Sequence, residues 1–244
     1  MSGKSSTLRR WASALTRILI TTGLFSSCFK QRHATWNTPE DYYALPRWSE
    51  RVNAFMQISR SPMSADLFIG DSITEGLDLT YFFGDSTLVN MGIGGDFTEG
   101  ILKRMLPVER LQPRRIFLMI GINDVLKRLP ASTISSNHQS IVQAMQKACP
   151  QAQIFVQSLL PIRSSYRVME GRKRVPCQQV LEEIRRINAN LAEICSEHDV
   201  AFVDLYPAFL DRSGELQSDL TYDGLHLNNN GNRMWTTLIQ PLLD

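Results

Sequence analysis

The feature that most narrows the folds open to this chain is a recurrence of short apolar runs separated by longer stretches with three-to-four periodicity. The runs are Ala65 to Ile69, Thr87 to Met91, Arg115 to Ile120, Ile154 to Ser158 and Val200 to Leu205. The periodic stretches are Phe97 to Met105, Ser132 to Ala148, Gln178 to His198 and Asn230 to Leu242. A run such as Ile116-Phe117-Leu118-Met119-Ile120 has no polar alternation and reads as a strand covered on both faces. Strands that recur between helices need right-handed crossovers, hence parallel pairing and helices on both sides of the sheet. The expectation is an α/β, flavodoxin-like three-layer α/β/α sandwich on a mostly parallel sheet of about five strands. With 244 residues, 43% of them hydrophobic, the chain can bury the core of one such domain.

The first 39 residues read differently. They hold no Asp or Glu but carry Lys4, Arg9, Arg10, Arg17, Lys30 and Arg32. The apolar stretch Ile18 to Phe25 follows, then Ser26-Ser27-Cys28. A basic start, a short apolar segment and small residues describe a secretory signal, and the run is too short to span a bilayer. Small residues directly before a cysteine resemble a bacterial lipobox, which makes Cys28 a candidate for lipidation. An acid-free, Arg- and Ser-rich leader also suits an organellar transit peptide, or a tail that stays in the cytoplasm. The expected division is a targeting segment over 1–28, a helical extension over 29–60 and the main domain over 61–244. In the extension, Thr38-Pro39-Glu40-Asp41 has the capping residue, proline and acids of a helix start, and Trp48 to Met56 is a second amphipathic piece.

Charge and cysteine usage exclude some classes. Lys and Arg number 26 against 24 Asp and Glu, net +2, which gives no footprint for nucleic acid. The four cysteines have no C-x-x-C spacing and the four histidines no His-x-x-His pattern, so neither a metal nor another cofactor is expected. Gly92-x-Gly94 would need glycine at 97 for a dinucleotide fingerprint, and Phe97 stands there. The Arg-rich stretch Ser164 to Pro176 reads as a solvated loop or a flap over a site.

Four short blocks fall at strand ends, where open α/β sheets bind ligands. Gly70-Asp71-Ser72 follows the first run; a serine there can attack a carbonyl while its own N–H holds the oxyanion. Asp71 or Ser72 could equally do no more than cap a helix. Gly92-Ile93-Gly94-Gly95-Asp96 lets backbone approach a substrate oxygen. Gly121-Ile122-Asn123-Asp124 offers a side-chain amide, or an Asx turn. Asp223-Gly224-Leu225-His226 can place a carboxylate against one ring nitrogen, leaving the other to take a proton from a hydroxyl.

In this order the blocks resemble the SGNH hydrolases, the GDSL-type esterases and lipases, from about residue 65 to the C-terminus. The texts Asn90 to Asp96 and Gln157 to Pro161 look in particular like the catalytic subunits of intracellular platelet-activating-factor acetylhydrolase, and like bacterial acetylesterases. The resemblance implies Ser72 as nucleophile, His226 as base and Asp223 as its orienting acid. It implies an oxyanion hole from the N–H groups of Ser72 and Gly95 and the Asn123 amide, with Asp71 and Asp124 in support. The implied activity is hydrolysis of a short acyl ester, acetyl above all, with a carbohydrate as one leaving alcohol. Lysophospholipase or thioesterase activity is an alternative, and a lipid-anchored glycan-binding protein without turnover is another. The implied partner is a small-molecule or glycan ester, with membrane attachment through Cys28 and export to the periplasm or cell surface; oligomeric state is left open.

Overall fold

The computed structural model describes residues 39–59, 64–85, 87–170 and 173–243. The expected targeting segment, the candidate lipidation site Cys28 and the expected Thr38 cap lie outside the described residues.

Five parallel strands form the central sheet: β1 (Asp66–Gly70), β2 (Val89–Gly92), β3 (Arg115–Met119), β4 (Gln153–Gln157) and the strand Ala201–Val203. Their order is β2, β1, β3, β4 and then Ala201–Val203, which places β1 between two neighbours entered from opposite directions of winding. β1 and β3 are buried along their whole length, as their uninterrupted apolar text requires. The buried Phe68 and Phe117 and the partly buried Phe155 stack across adjacent strands at 4.7 and 4.8 Å between ring centroids. This is the three-layer α/β architecture anticipated above.

The long helices cover the sheet as their periodicity demands. Ala131–Ala148 buries Ile134, Ile141, Val142 and Met145. Cys177–Glu197 buries Val180, Leu181, Ile184, Ile187 and Leu191. Asn229–Ile239 is capped by Asn228, whose side chain accepts from the N–H groups of Asn230 and Gly231.

Three details differ from the sequence reading. The helix expected over Phe97 to Met105 is two helices, Thr98–Lys103 and Met105–Leu111, parted at Arg104, whose backbone is not helical (φ −119°, ψ 34°). Arg104 leaves the helical path with its side chain wholly buried. The second amphipathic piece, expected from Trp48, starts two residues earlier: Pro46 opens the helix Pro46–Met56, where its missing N–H costs nothing. The Arg-rich stretch contains a two-stranded antiparallel hairpin, Met169–Glu170 with Lys173–Arg174, rather than loop throughout. Among the described residues, no helix is long and apolar enough to cross a membrane. The described cysteines Cys149, Cys177 and Cys195 are free thiols.

Candidate functional site

The C-terminal ends of β1, β2 and β3 lie side by side, Gly70 opposite both Gly92 and Met119. Each of the first three sequence blocks begins there. Directly after Gly70 the chain turns into the short helix Ser72–Glu75, capped by Asp71, whose carboxylate accepts the Ile73 N–H at 2.9 Å. The helix sits tight on β2: a Cβ at Gly92 would meet the Glu75 backbone nitrogen at 2.2 Å, so only glycine fits. Asn90 binds the same helix from below, its amide donating to the carbonyls of Thr74 at 2.6 Å and Leu77 at 2.9 Å.

Ser72 Oγ lies 2.9 Å from His226 Nε2, across 154 positions of sequence. His226 Nδ1 lies 2.6 Å from Asp223 Oδ2. A carboxylate only accepts, so Nδ1 carries the proton in the neutral ring and Nε2 accepts from the serine hydroxyl. The other carboxylate oxygen of Asp223 accepts the backbone N–H groups of Leu225 and His226 at 2.9 and 2.8 Å. Burial alone would raise the Asp223 carboxyl; the hydrogen bonds from the His226 ring and backbone outweigh it and hold the carboxyl below its usual range. Tyr222, 55% exposed, stacks on the His226 ring at 5.7 Å and 9°. Beside it, a depression of about 470 Å³ is lined by Gly76, Leu227 and Asn228 to Asn230.

The second and third blocks form the other wall. Gly95 takes φ +87°, a conformation that glycine adopts freely. The Gly94 N–H donates to Glu75 Oε2 at 2.8 Å. Asn123, in the helix Ile122–Leu126, donates one amide hydrogen to the Asp96 carbonyl at 2.8 Å, which fixes the group and leaves its second hydrogen for a ligand. Asp124 accepts from the Thr98 hydroxyl at 2.6 Å and the Thr98 N–H at 3.1 Å, tying the third block to the helix after the second. Burial pushes its carboxyl up to about 6 and that of Asp71 up to about 7.

Sequence reasoning missed the groups behind this wall. Arg104, fully buried, donates to Asp96 Oδ2 at 2.8 Å, to the Met91 carbonyl at 2.7 Å and to the Gly70 carbonyl at 2.9 Å. In the sequence it is the second of a basic pair, Lys103-Arg104, that reads as ordinary helix surface. Trp48 Nε1 donates to Asp96 Oδ1 at 3.1 Å, and the Tyr42 hydroxyl to the Gly94 carbonyl at 2.8 Å. Nothing local in the text pointed to these two. His138 is buried, with Nε2 3.1 Å from the Ile120 carbonyl and Nδ1 2.9 Å from that of Ile134. Among the described residues, no group of three His, Cys, Asp or Glu side chains is placed to hold a metal ion.

A serine at the carboxyl end of a central parallel strand, paired with an imidazole and flanked by backbone and amide donors, defines a hydrolase of the α/β type. The sequence model of the GDSL-like lipase/acylhydrolase family matches residues 68–234, and the chain belongs to that family. It is an ester-hydrolysing enzyme. It is 28% identical over 199 residues to the platelet-activating factor acetylhydrolase IB subunit alpha1 of Bos taurus, covering 79% of this chain and 80% of that protein. Among solved structures, a GDSL-like lipase from Bacteroides thetaiotaomicron superposes with TM-score 0.69 at 20% identity, over 80% of this chain and 96% of that one. An acetylxylan esterase from Geobacillus stearothermophilus gives TM-score 0.56 at 21% identity, over 75% and 95%.

Proposed function

We propose that the chain is a serine esterase that removes a short acyl group, acetyl above all, through an acyl-enzyme on Ser72. The observation that carries this is the chain of two short contacts, 2.9 Å from Ser72 Oγ to His226 Nε2 and 2.6 Å from His226 Nδ1 to Asp223 Oδ2. As Oγ attacks the ester carbonyl, its proton passes to Nε2 and the carbonyl electron pair moves onto oxygen. The N–H groups of Ser72 and Gly95 and the free hydrogen of the Asn123 amide hold that oxyanion. Gly95 is chosen over Gly94 because the Gly94 N–H already serves Glu75. Collapse breaks the bond to the leaving oxygen, which takes the proton from Nε2; water then repeats the sequence and releases the acid.

Two relatives support the acyl length, since an acetyl group stands in the name of each: the acetylhydrolase subunit and the acetylxylan esterase. The exposed Tyr222 ring with asparagines beside it suits a sugar as leaving alcohol, the ring for C–H faces and the amides for hydroxyls. Lysophospholipid and thioester substrates are the competing readings. The leader is read as an export signal with lipid on Cys28, tested by the mass of the mature N-terminus. For the reaction, the test is turnover of p-nitrophenyl acetate against longer acyl esters and acetylated sugars. Ser72→Ala is expected to lower turnover by roughly 10⁴-fold or more. A variant that keeps its rate would overturn the assignment.

A further inference from the structure

We propose that Tyr42 is a positioning residue for ester hydrolysis: by holding the Gly94 carbonyl, its hydroxyl fixes the direction of the Gly95 N–H. This rests on the reading of Gly95 as an oxyanion donor. The Gly94 carbonyl and the Gly95 N–H are opposite ends of one planar trans peptide, so anchoring one aims the other. The anchor is needed because two successive glycines flank this peptide, and glycine passes between positive and negative φ with little resistance. A rotation of the unit by half a turn would present a carbonyl oxygen to the developing negative charge. Tyr42 opposes that rotation with a hydrogen bond of 2.8 Å.

The rest of the loop is held from the same side. Glu75 takes the Gly94 N–H and is itself held by Arg47 at 2.7 Å. Arg51 donates to the Gly92 carbonyl at 3.0 Å, and Trp48 to Asp96 at 3.1 Å. Tyr42, Arg47, Trp48 and Arg51 all belong to the helices Pro39–Tyr43 and Pro46–Met56, which precede the first core strand. The Tyr42 ring has its own reasons to stay in place: it is 4% exposed and packs edge-on against Phe97 at 5.7 Å and Tyr43 at 5.6 Å. Burial raises the phenol well above its ordinary value, so the hydroxyl remains a donor at any working pH. Phenylalanine at 42 therefore keeps the ring in its packing and removes the hydroxyl that anchors Gly94.

The test uses the full chain with Tyr42→Phe, and Tyr81→Phe, on an exposed ring, as control. Rates with p-nitrophenyl acetate are expressed per reactive serine, counted by titration with a phosphonate, so misfolded protein does not enter. Affinity for a boronic acid, which makes a tetrahedral adduct on serine, is measured alongside. The expected result for Tyr42→Phe is kcat lower by about 10- to 100-fold, just short of the roughly 10²–10³ seen when a donor is removed outright. KM stays within about two-fold, and boronic acid affinity falls in step with kcat. A kcat per reactive serine within about two-fold of wild type, or a loss confined to KM, overturns the proposal. Should Ser72→Ala keep its turnover, the nucleophile assignment fails; an inert Ser72→Ala beside an unimpaired Tyr42→Phe removes only the role of Tyr42.

Discussion

The two walls of the site are held by opposite means. The Asp223–His226 wall is local: Asp223 binds the backbone two and three residues on, and Thr221 binds the carbonyl of His226 at 2.7 Å. Its side chains are partly open to solvent, 33% for Asp223 and 26% for His226. The wall of Ser72, Gly95 and Asn123 stands on buried polar contacts between distant parts of the chain. Asp96, Arg104 and Asp124 are completely buried, and Arg104 alone joins β1, β2 and the second block. A hydrogen bond in that setting costs more to lose, because the abandoned partner has no water to turn to. Mutations on the first wall should therefore change chemistry, whereas mutations behind the second should change both chemistry and folding.

The sharpest break in this contrast is Asp223→Asn. The amide can donate to Nδ1 and favour the wrong tautomer, so kcat is expected to fall roughly 10³–10⁴-fold with the thermal midpoint nearly unchanged. Next comes Arg104→Met, which strands the Asp96 carboxylate in the interior. Denaturant titration should show a loss of about 3–5 kcal/mol, and a variant of wild-type stability would mean the second wall does not depend on this pair. Asn123→Ala is expected to lower kcat by roughly 10²–10³ through the lost donor. It also frees the Asp96 carbonyl, so some loss of stability should accompany it, unlike Asp223→Asn. The last break concerns pH. Asp71 is protonated up to about 7 in the folded chain but ionises near its ordinary 3.8 when unfolded. The native state thus binds the extra proton in that window, and Asp71 makes stability fall as pH rises from about 4 to about 7. Asp71→Asn keeps an oxygen for the Ile73 N–H and should flatten that fall. Urea midpoints at both ends of the window measure it, and equal slopes for the two proteins would count against a buried neutral acid.

The same contrast explains what could be read from the text. The sheet was legible because both faces of its central strands are covered, which leaves long apolar runs such as Ile116 to Ile120. Asp223 and His226 were legible as a pair because their contact spans three residues. Ser72 and His226 could be paired only through the resemblance, since 154 positions separate them. Tyr42, Trp48 and Arg104 were not legible, because their partners Gly94, Asp96 and Gly70 lie 52, 48 and 34 positions away. The break at Arg104 was hidden for a related reason: an arginine reads as a good helix former until a buried carboxylate draws it out of the helix.

Ser72, Gly95 and Asn123 each leave from one of three neighbouring parallel strands whose ends are in register at Gly70, Gly92 and Met119. Adjacent strands lie about 4.8 Å apart because backbone hydrogen bonds fix that interval. The sheet therefore works as a ruler beneath the three proposed donors, and no side-chain replacement can alter its divisions. Adding or removing one residue between Gly92 and Gly95 would change the reading where point substitutions cannot.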